Sequence, residues 1–167
     1  MNRVWGAFSG TLQHAPSNKF DHATHALPAN GDKVLSKISV LLADDREDVL
    51  ETVARLLQPE FEVVGTVTNG KSLIYATERL KPDIVIVDIS MPVLNGVEAV
   101  RRLRESSTKT QFVFLTIHES SDYVAAALAA GALGYVVKSR LATDLGVAIK
   151  EANAGRSFLS PSNTPDV

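Results

Sequence analysis

Cysteine is absent from this 167-residue chain, which removes disulfides, thiolate nucleophiles and cysteine-held metals from consideration. Tryptophan occurs once, and aromatic residues make up only 6%. Neither sign of charge is in excess: 17 basic residues face 19 acidic ones, for a net charge of −2 and a pI near 6.1. That balance leaves no basic field able to hold a nucleic-acid backbone by charge alone. No apolar run approaches the ~20 residues that a membrane helix requires, and the N-terminus lacks the continuous apolar stretch of a secretory signal. A cysteine-free chain suits the reducing cytosol, so the expectation is a cytoplasmic protein without membrane association. What is present is 45% hydrophobic and 22% charged, enough apolar side chain to bury a core. The length fits one domain with a spare segment.

The spare segment is residues 1–36. It holds three of the four histidines, scattered Gly, Pro, Ser and Asn, and three basic against two acidic residues, with no sustained period. A poorly ordered or loosely helical extension is expected there. His22 and His25 share one face of a helical turn, but no third ligand has suitable spacing, so two solvated histidines are the better reading. Trp5 and Phe8 are isolated aromatics. The main domain is expected over 37–160, with 161–167 as a C-terminal tail.

From Ile38 the texture changes, and strand-like and helix-like segments alternate five times. Ile38–Ala43 is a short apolar run ending at Asp44-Asp45, followed by Val49, Val53, Leu56 and Leu57 at helical spacing. Phe61, Val63, Gly65 and Val67 show a weak period of two, as on an edge strand. Asn69-Gly70 opens a helix that Pro82 ends. Ile84–Val87 is wholly apolar and β-branched, the mark of a central strand buried on both faces. Val97, Val100 and Leu103 mark a helix, Phe112–Leu115 a second central strand, and Ser121–Ala130 an alanine-rich helix stopped by Gly131. Gly134–Val137 is a short strand, and Leu141, Leu145, Ile149 and Ala152 mark the last helix, with Gly155 as its stop. This alternation predicts an α/β fold: a doubly wound, five-stranded parallel sheet with helices on both faces; of the two common doubly wound orders, five strands with one switch point fit the flavodoxin-like 2-1-3-4-5.

The polar residues fall at the carboxyl ends of those strands: Asp44-Asp45, Asp88, Thr116 and Lys138. In an open parallel sheet these ends share one edge, where ligands bind at the point of reversed winding. Three converging carboxylates repel one another, and a hard divalent cation such as Mg2+ resolves the repulsion, with the backbone carbonyl of Ser90 as a further ligand. A carboxylate is also a nucleophile toward phosphorus, and the transferred group needs cations around it. The metal supplies one, Lys138 a second, and Thr116 offers a hydroxyl. Taken singly, Asp44 or Asp45 reads equally well as a helix cap, Asp88 as a loop residue, Thr116 as an ordinary strand threonine and Lys138 as a solvated lysine. Four strand ends carrying the required types together make the reading.

The segments Leu41-Leu42-Ala43-Asp44-Asp45, Val87-Asp88-Ile89-Ser90-Met91-Pro92-Val93-Leu94-Asn95-Gly96, Leu115-Thr116 and Gly131-Ala132-Leu133-Gly134-Tyr135-Val136-Val137-Lys138 closely resemble the response regulator receiver domain of two-component signalling. The resemblance covers about Ser36 to Ser160. It implies that Asp88 is the phosphoacceptor and that Asp44 and Asp45 form the acidic Mg2+ pocket. Asp45, Asp88 and the Ser90 carbonyl are its implied direct ligands. It also implies Thr116 as the switch hydroxyl, Tyr135 as the switch aromatic that turns inward on phosphorylation, and Lys138 as the site's cation. The phosphodonor would be a histidine kinase or a histidine phosphotransfer protein. The changed surface would be the last two helices and last strand, which could support a phosphorylation-dependent homodimer. The family usually has proline after the lysine; here Ser139 stands, where a cis bond is costlier. Ser90 and His118, two positions after the acceptor and the switch threonine, are expected at the entrance for attacking water.

The stretch Gly155–Pro161 resembles the end of receivers that precede a helix-turn-helix DNA-binding domain. No such pattern follows before Val167, so this chain alone is not expected to bind DNA. Three other readings are weaker. An aspartyl-phosphate phosphatase would carry a second aspartate where Ser90 stands, so the chain is not expected to be an enzyme. A degenerate module would have lost one of Asp45, Asp88, Thr116 and Lys138. A flavin-binding protein would have a Ser/Thr-rich phosphate loop after the first strand.

Overall fold

The computed structural model describes residues 36–161. The expected extension, with Trp5, Phe8, His22 and His25, and the tail from residue 162 onward lie outside the described residues. Eleven elements alternate along the chain: β1 (Ser39–Ala43), α1 (Glu47–Leu57), β2 (Glu62–Val67), α2 (Gly70–Leu80), β3 (Ile84–Val87), α3 (Gly96–Glu105), β4 (Gln111–Thr116), α4 (Ser121–Ala129), β5 (Gly134–Val137), α5 (Leu141–Asn153) and β6 (Phe158–Leu159). All strand pairings are parallel, in the order β2-β1-β3-β4-β5-β6. The first five stand in the expected order 2-1-3-4-5. β6 is an addition: two residues laid on the outer edge of β5, too short to show a strand pattern in the sequence.

The inner strands β1, β3, β4 and β5 are buried on both faces because their alternate side chains feed two separate cores. Leu41, Ala43, Val85, Val87, Phe112, Phe114 and Tyr135 point to one side, where Leu73 of α2, Val100 and Leu103 of α3 and Ala127 of α4 meet them. Val40, Leu42, Ile84, Ile86, Val113, Leu115 and Val136 point to the other, against Leu50, Val53 and Leu57 of α1 and Leu145 and Ile149 of α5. Asn69 and Asn95 cap α2 and α3, their side-chain oxygens accepting from the backbone N–H groups of Ser72 and Glu98 at 2.9 Å each. α2 ends one residue earlier than proline alone would place it, because Lys81 turns left-handed at φ 47°. Among the described residues no helix is long and apolar enough to cross a membrane.

Register brings the strand ends level. Ala43 pairs with Val87, Val87 with Phe114, and Thr116 with Val137. The ladder runs one residue further: Asp88 N–H donates to the Ala43 carbonyl at 2.9 Å, and Asp44 N–H to the Val67 carbonyl at 3.1 Å. The two aspartates are thereby fixed side by side where the sheet stops.

Candidate acidic phosphoacceptor site

Asp44 and Asp88 are buried, at 4% and 6% exposure, while Asp45 is exposed. One carboxylate oxygen from each of the three lies within 4.8 Å of the others. Lys138, the first residue after β5, places its Nζ 2.6 Å from Asp44 Oδ2 and 3.1 Å from Asp88 Oδ2. Asp44 Oδ1 accepts from the Arg46 N–H at 3.0 Å. Asp88 Oδ1 is buried and has no hydrogen-bond partner among the described residues. The Arg46 guanidinium does not serve the pocket; it is engaged with Asp48 at 2.7 and 3.2 Å. Two of the three carboxylates, Asp44 and Asp88, therefore share one ammonium.

The electrostatics follow from that shortage. Burial pushes the Asp44 carboxyl above its usual range, and the Asp88 charge adds to the effect; the Lys138 and Arg46 N–H hydrogen bonds oppose it without cancelling it. Burial alone would pull the Lys138 ammonium down, but its hydrogen bond to Asp44 and the charges of Asp88 and Asp44 hold it above the ordinary lysine value. The two shifts look contradictory for an ion pair. They agree because burial dominates at Asp44, whereas at Lys138 the two neighbouring carboxylates outweigh burial. The donor set suits Mg2+, which takes a few carboxylate oxygens and completes its shell with carbonyl and water. The Ser90 carbonyl receives no hydrogen bond among the described residues.

The other walls come from the β3–α3 and β4–α4 loops. Thr116 ends β4 and is fully buried. His118 is the junction of the two loops: its Nε2 lies 2.9 Å from Ser90 Oγ, its ring stacks on Tyr123 at a centroid distance of 4.0 Å, and its N–H reaches Thr116 Oγ1 at 3.4 Å. The Tyr135 hydroxyl donates to the His118 carbonyl at 2.8 Å. Tyr135 is 3% exposed, so its ring already occupies the inward position expected only after phosphorylation. Burial, then the neighbouring Tyr123, Asp88 and Glu119, pushes its phenol up to about 12. No cis peptide bond occurs among the described residues; after Lys138 the chain makes a single 3-10 turn, Lys138–Arg140, into α5. Ser139 in the usual proline position thus leaves the lysine in place.

The structure brings together Asp44, Asp45, Asp88 and Lys138, and sets Ser90, Thr116 and Tyr135 around His118. Sequence reasoning missed the part played by Gly96. A Cβ there would stand 2.0 Å from the Asp88 carbonyl oxygen, so the loop can close under Asp88 only on a glycine. The Asn95-Gly96 pair was a visible turn signal; the close approach was not. It also missed Val93, which holds φ 69° in that loop. A surface groove of about 740 Å3 lies at the opposite sheet edge near Asp83 and Gln111. Size is a poor guide here, since the titratable chemistry is at the other end of the strands.

Comparison with known proteins gives the family and the fold. The family model described as the response regulator receiver domain matches residues 40–150. The transcriptional regulatory protein DegU of Brevibacillus brevis is 36% identical over 131 residues, covering 77% of this chain and 56% of that protein. The nitrate/nitrite response regulator protein NarL of Escherichia coli is 36% identical over 129 residues, covering 76% of this chain and 60% of that protein. The chain thus spans about three fifths of the length of these curated relatives. Among solved structures, a LuxR-family two-component response regulator from Aurantimonas matches with a TM-score of 0.72 at 33% identity, covering 75% of this chain and 91% of that one. The isolated REC domain of RcsB from Salmonella enterica, solved in the presence of phosphomimetic BeF3−, matches with a TM-score of 0.70 at 25% identity, covering 76% and 96%.

Proposed function

The chain belongs to the response regulator receiver domain family, and on that premise we propose that it accepts a phosphoryl group on Asp88 and passes the event to its surface. The observation that carries this reading is the imbalance in the pocket: three carboxylates within 4.8 Å, a single lysine among them, and a buried Asp88 oxygen with no partner. A site at rest would satisfy that oxygen; a site awaiting a cation and a phosphoryl group leaves it open. Asp45, Asp88 and the Ser90 carbonyl are the groups that would hold Mg2+, with Asp44 completing the acidic wall. When bound, the ion would neutralise charge on the transferred group and on the carboxylates around it.

The chain's own residues do the rest. An Asp88 carboxylate oxygen forms the new O–P bond as the bond between phosphorus and the donor breaks, and the donor leaves with that electron pair. Lys138, held beside Asp88 by its ion pairs, offers its ammonium to the phosphoryl oxygens. Thr116 donates its hydroxyl to one of them. The added charge and acceptors bias a two-state element, here the β4–α4 loop, which the Tyr135–His118 hydrogen bond ties to β5. The α4 face beyond it exposes Ala125, Ala126, Leu128 and Ala129, a surface suited to phosphorylation-dependent self-association. The phosphodonor in this reading is a histidine kinase or histidine phosphotransfer protein of the cytoplasm. The domain is a switch that turns over no other phosphoester: Ser90 stands where an aspartyl-phosphate phosphatase would carry its second acid.

The test is incubation with Mg2+ and acetyl phosphate, followed by intact-mass measurement. A single phosphoryl adduct on the wild type, lost in Asp88→Asn and lost on chelating the metal, is expected. An adduct that persists in Asp88→Asn, or none with Mg2+ present, would refute the assignment.

A further inference from the structure

The segment after α5 is clasped to the domain more firmly than a two-residue strand requires. Arg156 makes a double ion pair with Glu151 at 2.6 and 2.8 Å. Phe158 packs, partly buried, against the α1–α5 core. Its N–H donates to the Leu133 carbonyl, and the Ser160 N–H to the Tyr135 carbonyl, both at 2.8 Å. The Ser160 hydroxyl accepts from the Val137 N–H at 3.3 Å and donates to Asp144 Oδ2 at 2.6 Å. Asp144 is 5% exposed and also accepts from Arg140 at 2.7 and 3.2 Å and from the Thr143 hydroxyl at 2.9 Å. Arg140 is the last residue of the 3-10 turn whose first residue is Lys138.

One unbroken chain of contacts therefore runs from the acceptor to the point where the backbone leaves the sheet: Asp88, Lys138, the turn to Arg140, Asp144, Ser160. Coupling of this kind needs a physical element that both ends bias, and a single tight turn held at each end by an ion pair is such an element. We propose that the Ser160–Asp144–Arg140 clasp reports the state of the Asp88 pocket to the chain that follows Ser160. This goes beyond the phosphoacceptor reading and rests on it. A phosphoryl group on Asp88 gives Lys138 further acceptors and restrains its turn. Arg140 and Asp144 are restrained with it, and the Ser160 grip on β5 tightens. Pro161 then departs from a fixed point in the loaded state and from a looser one in the unloaded state. Asp144 and Ser160 act as positioning residues; neither touches the acceptor.

Linkage makes this testable from both ends. The full 167-residue chain is titrated with beryllofluoride in the presence of Mg2+, and amide exchange is followed residue by residue. The Phe158 and Ser160 amides are expected to exchange about fivefold more slowly in the loaded state. Ser160→Ala, which removes one hydroxyl and leaves β6 its backbone bonds, is expected to lose that change while the amides around Asp88 still respond. It should also bind beryllofluoride about fivefold more weakly, by reciprocity. Asp144→Asn serves as the second variant. Response around Asp88 without any change at Phe158 and Ser160, or equal beryllofluoride affinity in wild type and Ser160→Ala, overturns the clasp and leaves the acceptor reading intact. No response anywhere in the wild type sinks both.

Discussion

Two aspartates in this domain are buried almost equally, Asp88 at 6% exposure and Asp144 at 5%, and their surroundings are opposite. Asp144 has every oxygen engaged, by Arg140, Thr143 and Ser160. Its carboxyl is held at about 2, first by the Arg140 hydrogen bonds and then by those of Ser160 and Thr143, against the pull of burial. Asp88 has one oxygen on Lys138, the other without a partner, and two further carboxylates beside it. Burial alone therefore says little about what a charged group is for. A carboxylate with its hydrogen bonds complete holds structure together, whereas one left short is held ready for something that arrives. Strain and crowding kept at a site lower stability there and are offset elsewhere in the fold.

The comparison breaks most severely if the acceptor loop is not the tight closure described. Gly96→Ala would set a methyl 2.0 Å from the Asp88 carbonyl oxygen, and a loss of about 3 kcal/mol or more is expected; urea denaturation showing a near-neutral change would mean the loop has room. Next in size, Asp144→Ala should cost about 2 kcal/mol, the scale of lost hydrogen bonds to a charged group. The same clasp sets a pH dependence. The Asp144 carboxyl lies below its ordinary value of 3.8, at about 2, so its contribution is complete above about pH 4 and is lost as pH falls toward 2. Melting curves of wild type and Asp144→Ala should therefore converge over that range and stay parallel above it.

The remaining two changes are expected to help rather than harm. Val93 is a β-branched residue at φ 69° with its side chain 78% exposed. It gains little from contacts and loses from strain, so Val93→Gly should stabilise by about 1 kcal/mol. Asp88→Ala should be neutral or stabilising by up to about 1 kcal/mol, because it relieves the carboxylate crowding and leaves Lys138 its 2.6 Å bond to Asp44. Opposite signs for Asp88→Ala and Asp144→Ala in a single set of denaturation curves would sharpen the contrast; equal losses would remove it.

The same contrast decides what could be read from the sequence. The acidic pocket was legible because each residue follows an apolar strand whose end is visible, as Asp88 follows Ile84–Val87, and parallel register lines those ends up. The sheet order was reached differently, by fitting five alternating strands to one of the two common doubly wound orders. The clasp was not. Arg140 and Asp144 have helical spacing that suggests a pair, but Ser160 lies 16 residues beyond Asp144 and sits after a strand of two residues that carries no period. The inward Tyr135 was anticipated as a state to be reached, and its actual position depends on an acceptor, the His118 carbonyl, that no side-chain pattern announces. Val93 was invisible because positive φ at a β-branched residue runs against local preference and is imposed by the loop around it.

If Asp88 is the phosphoacceptor, its open oxygen and the crowded carboxylates beside it receive a cation and a phosphoryl group. A crystal structure of the chain grown with Mg2+ and beryllofluoride tests this most directly. Beryllofluoride is expected on an Asp88 oxygen, with a metal ion held by Asp45, Asp88 and the Ser90 carbonyl, and Lys138 and Thr116 turned to the fluorines. A metal bound elsewhere, or Asp88 unmodified and still paired only with Lys138 at saturating ligand, would contradict it.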